Sequence, residues 1–156
     1  MNPVFFSAYA DFRHMKDLEN LLFFNKNQKN YSKQIDKSVT RFGYPRIILD
    51  DKRIRVEIEG IEGTQNLFIF DADGDDSSLL GVLIYYRQSI EKITILHIAV
   101  VEDCSANGKY AQEFITMRLI NRLKEDSAKI KGIELLSFAY RTNTDELSNI
   151  PIKHKT

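Results

Sequence analysis

A histidine inside an apolar run, a glycine-bearing polar segment just after it and a cluster of aspartates earlier in the chain are the residues whose types and spacing can do chemistry. His97 sits within Ile-Thr-Ile-Leu-His-Ile-Ala-Val-Val, residues 93–101. A neutral imidazole in a cleft accepts a proton near neutral pH; the same residue on a buried strand also reads as a core histidine bonded to a neighbour. Glu91, Glu102 and Tyr140 stand at strand ends as alternative groups. The segment Glu-Asp-Cys-Ser-Ala-Asn-Gly-Lys-Tyr (102–110) opens a helical pattern. A strand that passes through a glycine loop into a helix aims backbone N–H groups at whatever lies above the loop. Here those are the N–H groups of Asn107, Gly108, Lys109 and Tyr110, with the Lys109 charge beside them, a setting for an anion such as a pyrophosphate. The alternative is a polar turn in which Ser105 or Asn107 caps the helix. Glu102 and Asp103 repel a polyphosphate unless they point away.

The run from Asp71 to Asp76 has the look of a calcium loop, but such a loop needs glycine at its sixth position and glutamate at its twelfth. Asp76 and Val82 stand there, so the run reads as a hairpin turn. Cys104 follows Glu102 and Asp103, and acidic neighbours raise a thiol pKa, which argues against a nucleophile. As the sole cysteine, it rules out an intramolecular disulfide and a cysteine-rich metal site.

Lys plus Arg and Asp plus Glu both number 22 among 156 residues. This balance gives no electrostatic reason to expect nucleic-acid or anionic-membrane binding. No apolar run approaches the roughly 20 residues that cross a bilayer. The N-terminal stretch lacks a basic region followed by an apolar core, so the expectation is a cytoplasmic protein of one domain, residues 1–156.

Elements must position these residues. Residues 3–9 read as a short strand, and Asp11 as the N-cap of a helix carrying Phe12, Met15, Leu18 and Leu22 at helical spacing. A second helix is expected over residues 31–42, ending at Gly43. Residues 47–59 alternate, with Ile54, Val56 and Ile58 on one face. Residues 66–70 and 79–87 read as an antiparallel pair, and in Tyr85-Tyr86 the two rings must point to opposite faces. The run 93–101, apolar without alternation, reads as a strand buried on both faces. A helix over residues 109–126 presents Ala111, Ile115, Leu119 and Leu123, with Phe114 and Met117 beside them, and leads to a last strand over 133–140. Residues 142–156 read as irregular. The class is therefore α+β, a mixed, mostly antiparallel sheet flanked by helices in the order β-α-α-β-β-β-β-α-β.

From Arg53 to Tyr140 this order resembles the Gcn5-related N-acetyltransferase family. That family has a glycine early in its third strand, as Gly81 is here, and an apolar-Ala-Val end to its fourth, as Ile98, Ala99 and Val100 are here. A glycine-bearing loop, a long helix, a glycine and a fifth strand follow. The family loop has the form Gln/Arg-x-x-Gly-x-Gly/Ala; this chain retains Gly108, with Ser105 and Tyr110 at the other two positions. The family continues with a further helix and two strands, where about fifteen residues remain here. The resemblance implies acetyl-CoA as cofactor, with its pyrophosphate on Ser105, Asn107, Gly108, Lys109 and Tyr110 and its acyl carbonyl near Ile98, Ala99 and Val100. It implies an amine acceptor, either a small molecule or a protein, with His97, Glu102 or Tyr140 as the acid-base group. A second reading on the same scaffold is a non-catalytic binding protein that self-associates through an open edge at residues 133–140.

Overall fold

A computed structural model describes residues 3–23, 43–73, 76–101, 114–139 and 149–153. The architecture is α+β. A six-stranded sheet has the order β1 (Val4–Ser7), β5 (Gln65–Asp73), β6 (Asp76–Arg87), β7 (Lys92–Val100), β8 (Leu135–Phe138) and β9 (Asn149–Pro151). A second sheet has the order β2 (Ala10–Asp11), β4 (Arg53–Ile58), β3 (Pro45–Asp50). The helices are α1 (Met15–Phe23) and α2 (Ile115–Ala128). No described helix is long and apolar enough to cross a membrane.

Among the described residues pairing is antiparallel except between β7 and β8, which run parallel with α2 between them in the chain. A parallel pair requires such a crossover. The long strands carry apolar residues to both faces, and each face has its own core. Under α2 the sheet residues Leu67, Ile69, Leu83 and Ile95 pack with Leu119 and Leu123 of the helix. On the opposite face Phe68, Phe70, Val82 and Ile84 pack with Leu18 and Leu22 of α1 and Ile54 and Val56 of β4. The alternation expected in the chain decides these assignments: Ile54, Val56 and Ile58 are buried as a set, and Tyr85 packs on the α2 side while Tyr86 packs on the other.

Several expectations change. Residues 47–59 are a hairpin of β3 and β4, not one strand. The chain reverses at Asp51, whose φ of 58° is left-handed, a conformation that aspartate adopts more readily than most residues. Asp11 is the N-cap of the first helical segment, as expected, but that segment opens as a 3-10 turn and becomes α-helical only at Met15. Asp11 also ends β2, and its carboxylate accepts the Arg13 N–H at 2.9 Å, capping the 3-10 turn over Phe12–His14 that feeds α1. Phe12 is consequently exposed instead of joining the apolar stripe. At α2, Ile115, Leu119 and Leu123 are buried as expected, but Phe114 precedes the helix at φ 51° and is 65% exposed. Residues 109–113 of that expected helix, and all of the expected helix over 31–42, lie outside the described residues.

The largest correction concerns the tail. Asn149–Pro151 forms β9 and pairs antiparallel with Leu135, Leu136 and Ser137. The edge expected to be open therefore carries a strand, and Ile152 is buried in the α2-side core. Self-association through that edge loses its premise. Local hydropathy could not show this, because a three-residue edge strand with Pro151 at its end has no period to read.

Candidate functional site

The residues singled out around β7 are built from the sheet outward. Gly81 of β6 lies opposite Val100, where a Cβ would stand 2.9 Å from the Ala99 carbonyl oxygen and 3.1 Å from Val100 Cγ1. Leu119 of α2 would be 3.4 Å away. Glycine therefore lets β6, the end of β7 and α2 approach closely, and so sets how the end of β7 meets the helix.

Two irregularities coincide in the middle of β7. The β6–β7 register shifts between Ile84 and Tyr85, which pair with His97 and Ile95, so Leu96 is an extra residue. Such a bulge increases local twist and re-aims the strand. On the other side, the parallel register with β8 runs from Lys92 to Ile95, closed by the Ala139 N–H donating to the Ile95 carbonyl at 2.8 Å. Among the described residues β7 then continues to Val100 beyond its pairing with β8, still paired with β6. Below that point the two strands are fastened by the Thr94 and Ser137 hydroxyls, 2.8 Å apart and buried, with Gln88 also bonded to Thr94.

His97, Ile98, Ala99 and Val100 all lie on this extension. His97 pairs with Ile84, a member of the core on the α1 side, and so shares its face. Ile98 packs on the α2 side, Ala99 on the α1 side and Val100 on the α2 side. His97 keeps part of its surface open, but burial lowers its pKa from 6.5 to about 4. The imidazole is thus neutral at physiological pH and holds a proton weakly. A catalytic base works best with a pKa near the working pH, so His97 is matched to accepting a hydrogen bond or passing a proton on, and poorly matched to keeping one.

The remaining expected site residues, Glu102, Ser105, Asn107, Gly108, Lys109, Tyr110 and Tyr140, lie outside the described residues. Glu91 stands at the opposite end of β7, and its carbonyl accepts the N–H groups of Glu134 and Leu135. That end is separated from His97 by most of the strand. Of the aspartate run, Asp71 and Asp73 belong to β5 and Asp76 to β6, with Asp73 opposite Asp76; residues 74–75 lie outside the described residues. Among the described residues no group of three His, Cys, Asp or Glu side chains gathers as a metal site.

Sequence reasoning passed over two features. Asn66 is a buried amide that bonds β4 from β5, and an isolated asparagine in an apolar strand is its only sequence signal. Arg118, in the first turn of α2, has a buried guanidinium nitrogen, Nη1, without a hydrogen-bond partner; its signal is a cation one turn from an apolar stripe. Comparison of the chain with protein-family models, curated proteins and solved structures gives no match. The geometry and the residues are what bear on function.

Proposed function

We propose that the chain is an acyl-CoA-dependent N-acyltransferase acting on an amine acceptor. One observation supports the reading: among the described residues β7 runs past its pairing with β8, beyond a bulge, and in the chain the glycine-bearing segment 102–113 joins it to α2. This is the arrangement the family resemblance implies for a thioester bound between two strands. Acetyl-CoA would supply an activated acyl carbonyl. Ile98, Ala99 and Val100 would flank the acyl group, and Ser105, Asn107, Gly108, Lys109 and Tyr110 would hold the pyrophosphate. In the transfer the amine nitrogen would form a bond to the carbonyl carbon as the carbon–sulfur bond breaks, and the surplus proton on nitrogen would pass to the departing sulfur, which leaves as the thiol. The ammonium must first lose its proton. At a pKa of about 4 His97 is a weak acceptor for that proton, so its part would be a hydrogen bond that helps pass the proton to water.

Thermal unfolding with and without millimolar acetyl-CoA and free CoA tests this. Binding to the native state stabilises by mass action, about 2.7 kcal/mol at a hundredfold excess over Kd. For a chain of this size that raises the midpoint by about 5 °C or more. Gly108→Trp should abolish the shift while the fold survives. An unchanged midpoint of the natural chain with both ligands would overturn the reading. The second function, a binding protein on the same scaffold, would then stand; the low pKa of His97 and the departures at Ser105 and Tyr110 favour it.

A further inference from the structure

Two oppositely charged side chains each bury one polar atom without a hydrogen-bond partner, Asp71 Oδ1 and Arg118 Nη1. They belong to different elements, and the register shows that they share a face and a level. Along β5, Leu67 and Ile69 belong to the core under α2, and Phe68 and Phe70 to the opposite core. Asp71 follows Phe70 and so faces α2, like its β1 partner Val4, which packs on that same core. Arg122 stands one turn after Arg118 on the same flank of the helix, and its guanidinium lies 5.1 Å from the ring of Phe6 on β1. The crossover makes α2 antiparallel to β7, and the sheet order makes β1 antiparallel to β7 as well, so β1 and α2 run the same way. Going back two residues in β1 leads from Phe6 to Val4, beside Asp71, a rise of about 6.6 Å. Going back four residues in α2 leads from Arg122 to Arg118, a rise of about 6 Å. Arg118 therefore stands at the height of Asp71.

We infer that Asp71 and Arg118 act on each other as a charge pair that fixes the first turn of α2 over the sheet. Among the described residues neither makes a direct ion pair; each side chain is partly buried and shuts one polar atom away from water, and an opposite charge facing that atom across a low-dielectric gap offsets the cost. The functional consequence rests on the acyltransferase reading. In the chain the first turn of α2 comes just after the residues assigned to the pyrophosphate, Ser105 to Tyr110, so on that reading loosening the turn would weaken acetyl-CoA binding. Both residues are thus positioning residues.

Amide hydrogen exchange of Asp71→Asn, Arg118→Gln and the double variant tests the pair. Each single change should speed exchange over residues 115–119 about tenfold or more, as expected when a buried charge loses its partner, and the double variant should be no worse than the worse single one. Additive losses, or protection at 115–119 equal to the natural chain, would overturn the pairing. Arg118→Lys, which retains the charge, should preserve most of the protection and guards against a variant that fails to fold. Titration of the same proteins with acetyl-CoA reads the consequence: affinity should fall with the single variants and return with Arg118→Lys. If the natural chain binds no acetyl-CoA, the acyltransferase reading fails, and hydrogen exchange still decides the pair.

Discussion

The side chain of Asn66 takes the place of a strand for Val56. Its Oδ1 accepts the Val56 N–H at 2.7 Å, and its Nδ2 donates to the Val56 carbonyl at 2.9 Å. Both residues are buried. One amide thereby satisfies both backbone groups of a β4 residue on the side where β2, paired only with Arg53 and Ile54, does not reach, and it fastens the three-stranded sheet to β5 of the larger one.

Replacing Asn66 by leucine leaves the Val56 N–H and carbonyl buried without partners. At about 1–3 kcal/mol for each such group, the loss should be about 2–6 kcal/mol, read as a lower urea midpoint. Asn66→Asp retains the acceptor, loses the donor and adds a buried charge, and it should be at least as harmful. A loss below about 1 kcal/mol for both variants would show that the two sheets hold together without the amide.

Gly81→Ala should cost about 1–3 kcal/mol, the usual penalty for overpacking, because the atom met at 2.9 Å is the backbone oxygen of Ala99 and cannot rotate away. Gly81→Val should cost more. The damage should centre on Ala99, Val100 and the start of α2, so exchange protection there should fall before that of β5. A neutral Gly81→Ala would mean that β7 can shift without consequence.

Stability should fall on acidification from about pH 6.5 toward pH 4. Burial lowers the pKa of His97 to about 4. Burial first, and the neighbouring Arg13 charge second, also lower that of His14. The unfolded chain therefore binds more protons in this window, so stability is complete above pH 6.5 and lost as pH falls through it. For His97 the full loss is on the order of 3 kcal/mol. His97→Leu should flatten the dependence of the urea midpoint on pH between 6.5 and 4, leaving the smaller part due to His14. An identical slope in both proteins would contradict this.

The Thr94–Ser137 hydroxyl pair lies where β7 and β8 are still in register. Ser137→Ala removes one partner while Gln88 still bonds Thr94, so the cost should be about 1 kcal/mol. Ser137→Val adds bulk at a nearly closed position and should cost more. A stabilising Ser137→Val would show unfilled space between the strands.

Much of this fold was legible in the chain because hydrophobic periodicity is local. The alternation of Ile54, Val56 and Ile58, the stripe of Ile115, Leu119 and Leu123, and the unbroken apolar run around His97 each state which faces are covered. The Asp71–Asp76 run announced a hairpin through its turn residues. Tertiary structure decided what depends on distant partners. Residues 149–151 became a strand only because β8 offered an unpaired edge. Residues 45–50 separated from 53–58 because a left-handed Asp51 reversed the chain. Asn66 gained its role only when Val56 was brought beside it. The sequence placed His97 in an apolar setting, but the extent of its burial, and with it a pKa near 4, follows from atoms that the folded sheet and its coverings bring around the ring. Periodicity records how each segment meets water, while pairing, register and desolvation are properties of segments in contact, and no single segment contains them.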